Sequence, residues 1–258
     1  MYYIPEVSPL LDRTTYAIKI AFILPLMLEE LRERHHGTIH HTVTVRVFLN
    51  GGSAPVEVAA HFPDCRPNRN YSFFLNPLLE KVGVGPHDDG FFVIEGKSEA
   101  TFPLPSVLKT IGHWVAYMNG NTYVVTPSNV QYASARLDYG TAAPLKIFDY
   151  FGSVETNETM DTRVALINPY VGRVETSFIM VGRNAKKDAV DMELAPFSAT
   201  WIALETIARQ KGIFPFEGTV RFLSSHRIIP FIFFWDRKLD TYYSMDHTMP
   251  WTYRKIVP

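Results

Sequence analysis

From Thr38 onward the chain is written in short β-branched and aromatic runs, each cut off by turn residues. That punctuation restricts the possible folds more than any other feature. Residues 42–49 (Thr-Val-Thr-Val-Arg-Val-Phe-Leu) lead into Asn50-Gly51, a dipeptide whose residues tolerate positive φ, and then into Val-Glu-Val-Ala-Ala-His-Phe at 56–62. A hairpin is expected there. Further runs stand at 90–94, 101–104, 113–118, 123–126 and 132–137. Short strands at this spacing build a sandwich or a barrel.

The same text recurs. Asn50 and Val56-Glu57 stand at the same spacing as Asn168 and Val174-Glu175, each Asn closing an apolar run. Residues 98–104 then resemble 197–203, residues 122–128 resemble 219–225, and Asp138 and Asp236 each close an apolar strand. A shortened offset after the first match places an insertion in the first copy, between His61 and Ser98. Four blocks in one order predict an all-β chain made by internal duplication: two tandem immunoglobulin-like β-sandwich domains, at 38–145 and 150–258. The boundary is expected near 140–144 or 152–158. The Cys…Trp…Cys hallmark of immunoglobulin domains is missing, since the chain has one cysteine.

Residues 1–37 form an N-terminal segment in which 14–36 is the best helix candidate. Pro25 suits a first turn, Glu29 and Glu30 come early, Arg32, Arg34 and His35 come late, and Gly37 can stop the helix. Residues 14–23 read equally well as a strand, because their periodicity is poor and they are β-branched. The apolar run over 17–34 is compatible with covering a domain seam or with self-association into a homo-oligomer.

Within the second copy, the Asn-led turn, the Ala-Thr-apolar strand and the Gly-Thr…Ser-Ser…strand-Asp pattern over residues 164–240 resemble small bacterial sandwich domains. The family they resemble is the sensory rhodopsin transducer-like ligand-binding sandwiches. The resemblance implies a ligand-binding sandwich and carries over no functional residue.

Composition excludes several classes of function. With 47% apolar residues the chain is not a disordered one. Lys and Arg total 25 against 26 Asp and Glu, so no field gathers nucleic acid. The apolar run at 20–28 falls far short of the roughly 20 residues that cross a bilayer, so no transmembrane segment is expected. Met1-Tyr-Tyr-Ile-Pro-Glu6 lacks the basic start of a secretory signal, and a cytoplasmic location is the expectation.

The chemistry-bearing residues are few. His35, His36, His40 and His41 are dense enough to suggest a metal, joined by His61 or His247, but helix and strand geometry makes them diverge. No metal or cofactor is expected. His87-Asp88-Asp89-Gly90 reads as a turn. No nucleophile elbow, Walker loop or metalloprotease helix occurs. The acid–base candidates are His226, Asp246 and His247, with His113 beside them. The ligand-binding candidates are Trp114, Trp235, Tyr242, Tyr243 and Trp251, drawn from 18 Phe, 13 Tyr and 4 Trp. The run Phe231-Ile-Phe-Phe-Trp235 is expected to be buried on both faces or to sit at an interface.

These features favour a non-enzymatic ligand-binding or assembly protein that uses loops or a cleft between two sandwiches. A small apolar or carbohydrate-like ligand fits the aromatics. The alternative is a cofactor-free enzyme with an apolar pocket at the domain interface, acting on a hydrophobic substrate by His/Asp acid–base chemistry.

Overall fold

The alternation at residues 42–49 becomes a longer strand, Ile39–Leu49, in which Ile39, His41, Val43, Val45 and Val47 are buried and the residues between them are not. The computed structural model describes residues 2–3, 6–104, 107–108, 113–120, 122–125, 146–183, 187–226, 228–247 and 252–255. The chain divides into two compact units, Met1–Asn121 with Val125–Ala135, and Thr122–Val124 with Arg136–Pro258.

The first unit is built from β1 (Tyr2–Tyr3), β2 (Glu6–Leu10), β3 (Ala17–Ile23), α1 (Met27–His35), β4 (Ile39–Leu49), β5 (Val56–Phe62), β6 (Asn70–Phe74), α2 (Asn76–Lys81), β7 (Gly90–Ala100), β8 (Val107–Leu108), β9 (His113–Asn119) and β10 (Thr122–Val125). One sheet has the order β5-β4-β7-β1-β8, with β2 also on β7, and the other has the order β10-β9-β3-β6. β10 joins this sheet by pairing with β9.

The second unit holds β11 (Lys146–Thr156), β12 (Met160–Asn168), β13 (Val174–Gly182), β14 (Lys187–Leu194), β15 (Ser198–Ala203), α3 (Leu204–Gln210), β16 (Phe216–Ser224), β17 (Ile229–Asp236), β18 (Thr241–His247) and β19 (Thr252–Lys255). Its sheets run β14-β13-β16-β11-β19 and β15-β12-β17-β18.

Set side by side, the two topologies coincide. β2-β7-β4-β5 corresponds to β11-β16-β13-β14, and β6-β3-β9-β10 to β15-β12-β17-β18. A short helix follows the fifth strand in each, α2 after β6 and α3 after β15. The chain is therefore an all-β, duplicated sandwich. Both units pair their second strand with their fifth and their third with their sixth, as immunoglobulin domains do. The outer strands differ from that plan: the first strand flanks the sixth, and the seventh flanks the second.

The correspondence read from residues is one element out of step. It equates β4 with β12, yet β4 and β5 form a hairpin within one sheet whereas β12 and β13 lie in different sheets. Both Asn-led turns are genuine, but they reverse the chain differently. The β4–β5 loop uses Gly51 at φ +76, and pairing resumes at Val47 opposite Val56. Asn168 instead has its side chain buried and steers a crossover. Its Nδ2 donates to the carbonyls of Gly172 (2.8 Å), Leu194 (3.2 Å) and Ala195 (2.8 Å), and its Oδ1 accepts the Tyr170 N–H at 3.0 Å. The supposed insertion between His61 and Ser98 contains β6 and α2, which have their own counterparts in β15 and α3.

Other expectations sort by element. Residues 14–23 resolve toward the strand β3, and the helix is confined to α1. His36, at φ +48, caps it and Gly37 N–H closes onto the Arg32 carbonyl at 3.1 Å. Residues 1–37 are not a separate element, since β2 and β3 complete the two sheets of the first unit. Residues 101–104 follow β7 without forming a strand, and 132–137 and 140–144 lie outside the described residues. Residues 152–156 belong to β11, so that polar stretch is no linker.

The core of the second unit gathers Tyr150, Val164, Leu166, Phe178, Phe222 and Ile232 between its sheets. On β17, residues Ile229 to Phe233 are all buried, so this part of the strand is covered on both faces, as its continuous apolar run implies, while Phe234 and Trp235 are partly exposed.

Candidate functional site

Register assembles an aromatic face on the second unit. β12 and β17 pair Arg163 with Phe233, Ala165 with Phe231 and Asp161 with Trp235, while β15 sets Trp201 opposite Ala165. Directly opposed residues share a face, and this face is the reverse of the one that Val164, Leu166 and Ile232 turn to the core. Its middle is wholly buried, at Ala165, Phe231 and Phe233. Arg163 and Trp235 toward one end, and Trp201 beside Ala165 on the edge strand β15, are partly exposed.

A β-bulge completes that end. The β17–β18 register slips between Phe234 and Trp235, which brings Tyr242 opposite Trp235 and leaves Tyr243 as the extra residue. Tyr242 meets Trp235 edge-on with ring centroids 4.9 Å apart and packs 5.0 Å from Phe233. Tyr243 sits elsewhere, 6.1 Å from Phe234, with its hydroxyl 3.1 Å from Met160 Sδ. Partial burial pushes its phenol up, with Glu155 and Asp236 adding to the effect.

The Arg163 guanidinium lies over the Trp235 indole, its carbon 4.1 Å from the ring centroid and 5.8 Å from that of Tyr242. Asp161 stands behind it, Oδ2 4.0 Å from Arg163 Nε. Asp161 is itself fixed, because its Oδ1 accepts from Thr156 Oγ1 (2.9 Å) and from the Glu205 N–H in the first turn of α3 (3.1 Å). The arginine is thus held over an aromatic ring and beside a carboxylate, with its guanidinium partly exposed. Arg163 and Asp161 were not singled out by sequence reading. An Asp-x-Arg on a strand opposite an aromatic run is a signal that only the register makes legible.

The remaining candidates do not converge on this end. Trp114 is half-buried on β9 of the first unit, opposite Ala21. Trp251 lies outside the described residues. The backbones of Asp246 and His247 close β18 opposite Ile232 and Phe231. His226 is partly buried after β16, its Nδ1 3.0 Å from Ser225 Oγ and its ring 6.0 Å from Tyr170. The second unit also has an open, polar cleft of about 370 Å³ beside Glu155, Gly182, Arg183, Glu217 and Thr219, where Arg183 pairs with Glu217.

The histidine-rich stretch disperses as helix and strand geometry requires. His35 stacks on Phe102 with centroids 5.7 Å apart, His40 is exposed, and His61 bonds Thr42 at 3.1 Å. His41 turns inward, Nδ1 2.7 Å from Ser98 Oγ and Nε2 3.2 Å from His113 Nε2. Among the described residues no three of His, Cys, Asp and Glu are grouped to hold a metal ion. Ser98, His41 and His113 have the connectivity of a nucleophile, a base and an orienting group, but Ser98 is fully buried, out of reach of substrate. The turn lies earlier than expected, at 85–88, where the Asp88 N–H reaches the Gly85 carbonyl at 3.1 Å and Asp88 Oδ2 accepts the Gly85 N–H at 2.7 Å, and Gly90 already opens β7.

No family model matches the chain, and no curated protein matches its sequence. Solved structures similar to it include a Bacteroides uniformis beta-glucuronidase 2 (10% identity, TM-score 0.20, 97% of this chain and 26% of that one). A glycosyl hydrolase family 2 member from Bacteroides cellulosilyticus is comparable (8% identity, TM-score 0.22, 95% and 28%). The chain thus spans about a quarter of those proteins. Likeness at this level decides neither fold nor activity. The class rests on the topology itself, a duplicated β-sandwich chain, and no described helix is long and apolar enough to cross a membrane.

Proposed function

We propose that this chain is a ligand-binding protein without catalytic activity, and that it takes a carbohydrate-like or planar apolar ligand bearing hydroxyl or carboxylate groups. The reading is supported chiefly by one observation, the Arg163 guanidinium held over the Trp235 ring with Asp161 beside it. An aromatic plane at the surface offers stacking to the apolar face of a sugar or ring, and the guanidinium edge adds paired donors. Preorganisation lowers the ordering cost on binding. The acid–base groups of the enzymatic alternative lack such support, since His226 bonds its own neighbour Ser225.

The test is a fluorescence and calorimetric titration against neutral and acidic oligosaccharides. Saturable binding that Trp235→Ala weakens at least about tenfold, the scale of one lost stacking contact, supports the reading. Arg163→Gln should weaken acidic ligands more than neutral ones. Binding that is indifferent to both substitutions, or turnover of a bound ligand, overturns it.

A further inference from the structure

His41 and His113 join the two sheets of the first unit. β4 and β7 carry His41 and Ser98 in one sheet, β9 carries His113 in the other, and the imidazoles touch across the core at 3.2 Å. Immunoglobulin domains place an inter-sheet disulfide in their core; with one cysteine this chain has no such bond to make. We propose that the His41–His113 pair is an acid-released clasp, which holds the first unit shut near neutral pH and lets its sheets part on mild acidification.

The chemistry follows from one shared proton. With Nε2 facing Nε2, one ring donates and the other accepts. Full protonation sets N–H against N–H, so the bond breaks and two cations are left in the core. The surroundings are apolar: Phe22 lies over His41 with centroids 4.2 Å apart and 5.6 Å from His113, and Phe62 and Tyr71 pack behind it. The Cys65 thiol, beside the His41 backbone, is pushed up to about 11 by burial and carries no charge to offset them. His40, Lys97 and Glu99 sit at neighbouring positions of β4 and β7 whose side chains are exposed. Burial holds both imidazoles well below the usual 6.5; His113 and, more weakly, the α-amino charge add to this at His41.

The sign is unambiguous. The unfolded chain takes up protons below 6.5 and the folded core refuses them, so stability falls as pH drops beneath that value and is constant above it. The second unit is an internal reference. Among the described residues, no histidine of the second unit is buried.

Hydrogen exchange of the full chain, corrected for intrinsic rates and followed from about pH 7 to about pH 4.5, tests this. Opening of β4, β7 and β9 should rise by up to about tenfold per histidine per pH unit below 6.5, while β13, β16 and β17 stay protected. His113→Gln, which can still hydrogen-bond but does not titrate, should remove about half of that slope. Parallel acid opening of both units, or an unchanged slope in His113→Gln, overturns the proposal. Should that variant not fold, imidazole ¹⁵N shifts of the unaltered protein decide. Two neutral rings at about pH 5.5 support the clasp, and two cationic ones end it.

Discussion

The buried Asn168 side chain is joined to Ala195, its Nδ2 donating to the Ala195 carbonyl at 2.8 Å. Through it and its bond to Leu194, one side chain at the end of β12 holds the connection between β14 and β15. Asn168→Asp would turn a donor toward three carbonyls into a buried anion. We expect a loss of about 3–5 kcal/mol, against about 1–3 kcal/mol for Asn168→Ala, which leaves the three carbonyls and the Tyr170 N–H without this partner but buries no charge. Urea denaturation of the second unit, followed by amide exchange in β15, measures the difference. Equal losses would contradict the donor argument.

Arg163 and Trp235 make a separate prediction about shape. Arg163→Lys keeps the charge but loses the planar stack. It should cost about 0.5–1 kcal/mol and shift tryptophan emission, whereas Arg163→Met should keep much of the packing. Emission unchanged in Arg163→Lys would show that the stack is not populated in solution.

Gly90 opens β7 with φ +155, and a Cβ there would come within 2.0 Å of the Phe48 carbonyl oxygen. The strands cannot move apart without breaking the pairing of Leu49 with Gly90. Gly90→Ala should cost about 1–3 kcal/mol from overpacking alone, seen as a lowered denaturation midpoint of the first unit. Gly51, with nothing within 4 Å of its Cβ position, should tolerate alanine better despite its φ of +76.

Asp161 links β12 to α3, accepting the Glu205 N–H in the helix's first turn at 3.1 Å. Asp161→Ala should destabilise by about 1–3 kcal/mol and raise exchange at Glu205 before other helix amides. Uniform exchange across α3 would mean that the helix is held by packing of Leu204 and Ala208 instead.

Much of the fold was legible from residues. The alternation of β4, the continuous apolar run of β17 and the turn at Asn50-Gly51 each point to one local structure, because burial on one face, on two faces, or none writes a different period. The duplication was legible, its alignment was not. Short apolar strands look alike, and only hydrogen bonding shows that β4 partners β5 whereas β12 crosses to another sheet. At the candidate site, Trp235 and Tyr242 were readable as ligand-binding candidates from their aromatic character alone. Their separation from Tyr243 depends on a bulge, and Arg163 reaches them only through a register set by distant residues. The inward turn of His41 follows from strand alternation, but its meeting with His113 required the packing of two sheets.

The strand order also governs how the chain must be made. β2 is synthesised ahead of its partner within β7, Gly90–Ile94, which is made only after β3, β4, β5 and β6. β11 likewise waits for β16. Neighbouring hairpins such as β4–β5 and β13–β14 can close at once, while the central pairings must span long stretches of chain. On the ribosome, each unit therefore passes through a stage with an unpaired first strand, and shielding that strand is a demand on the nascent chain rather than on the finished protein.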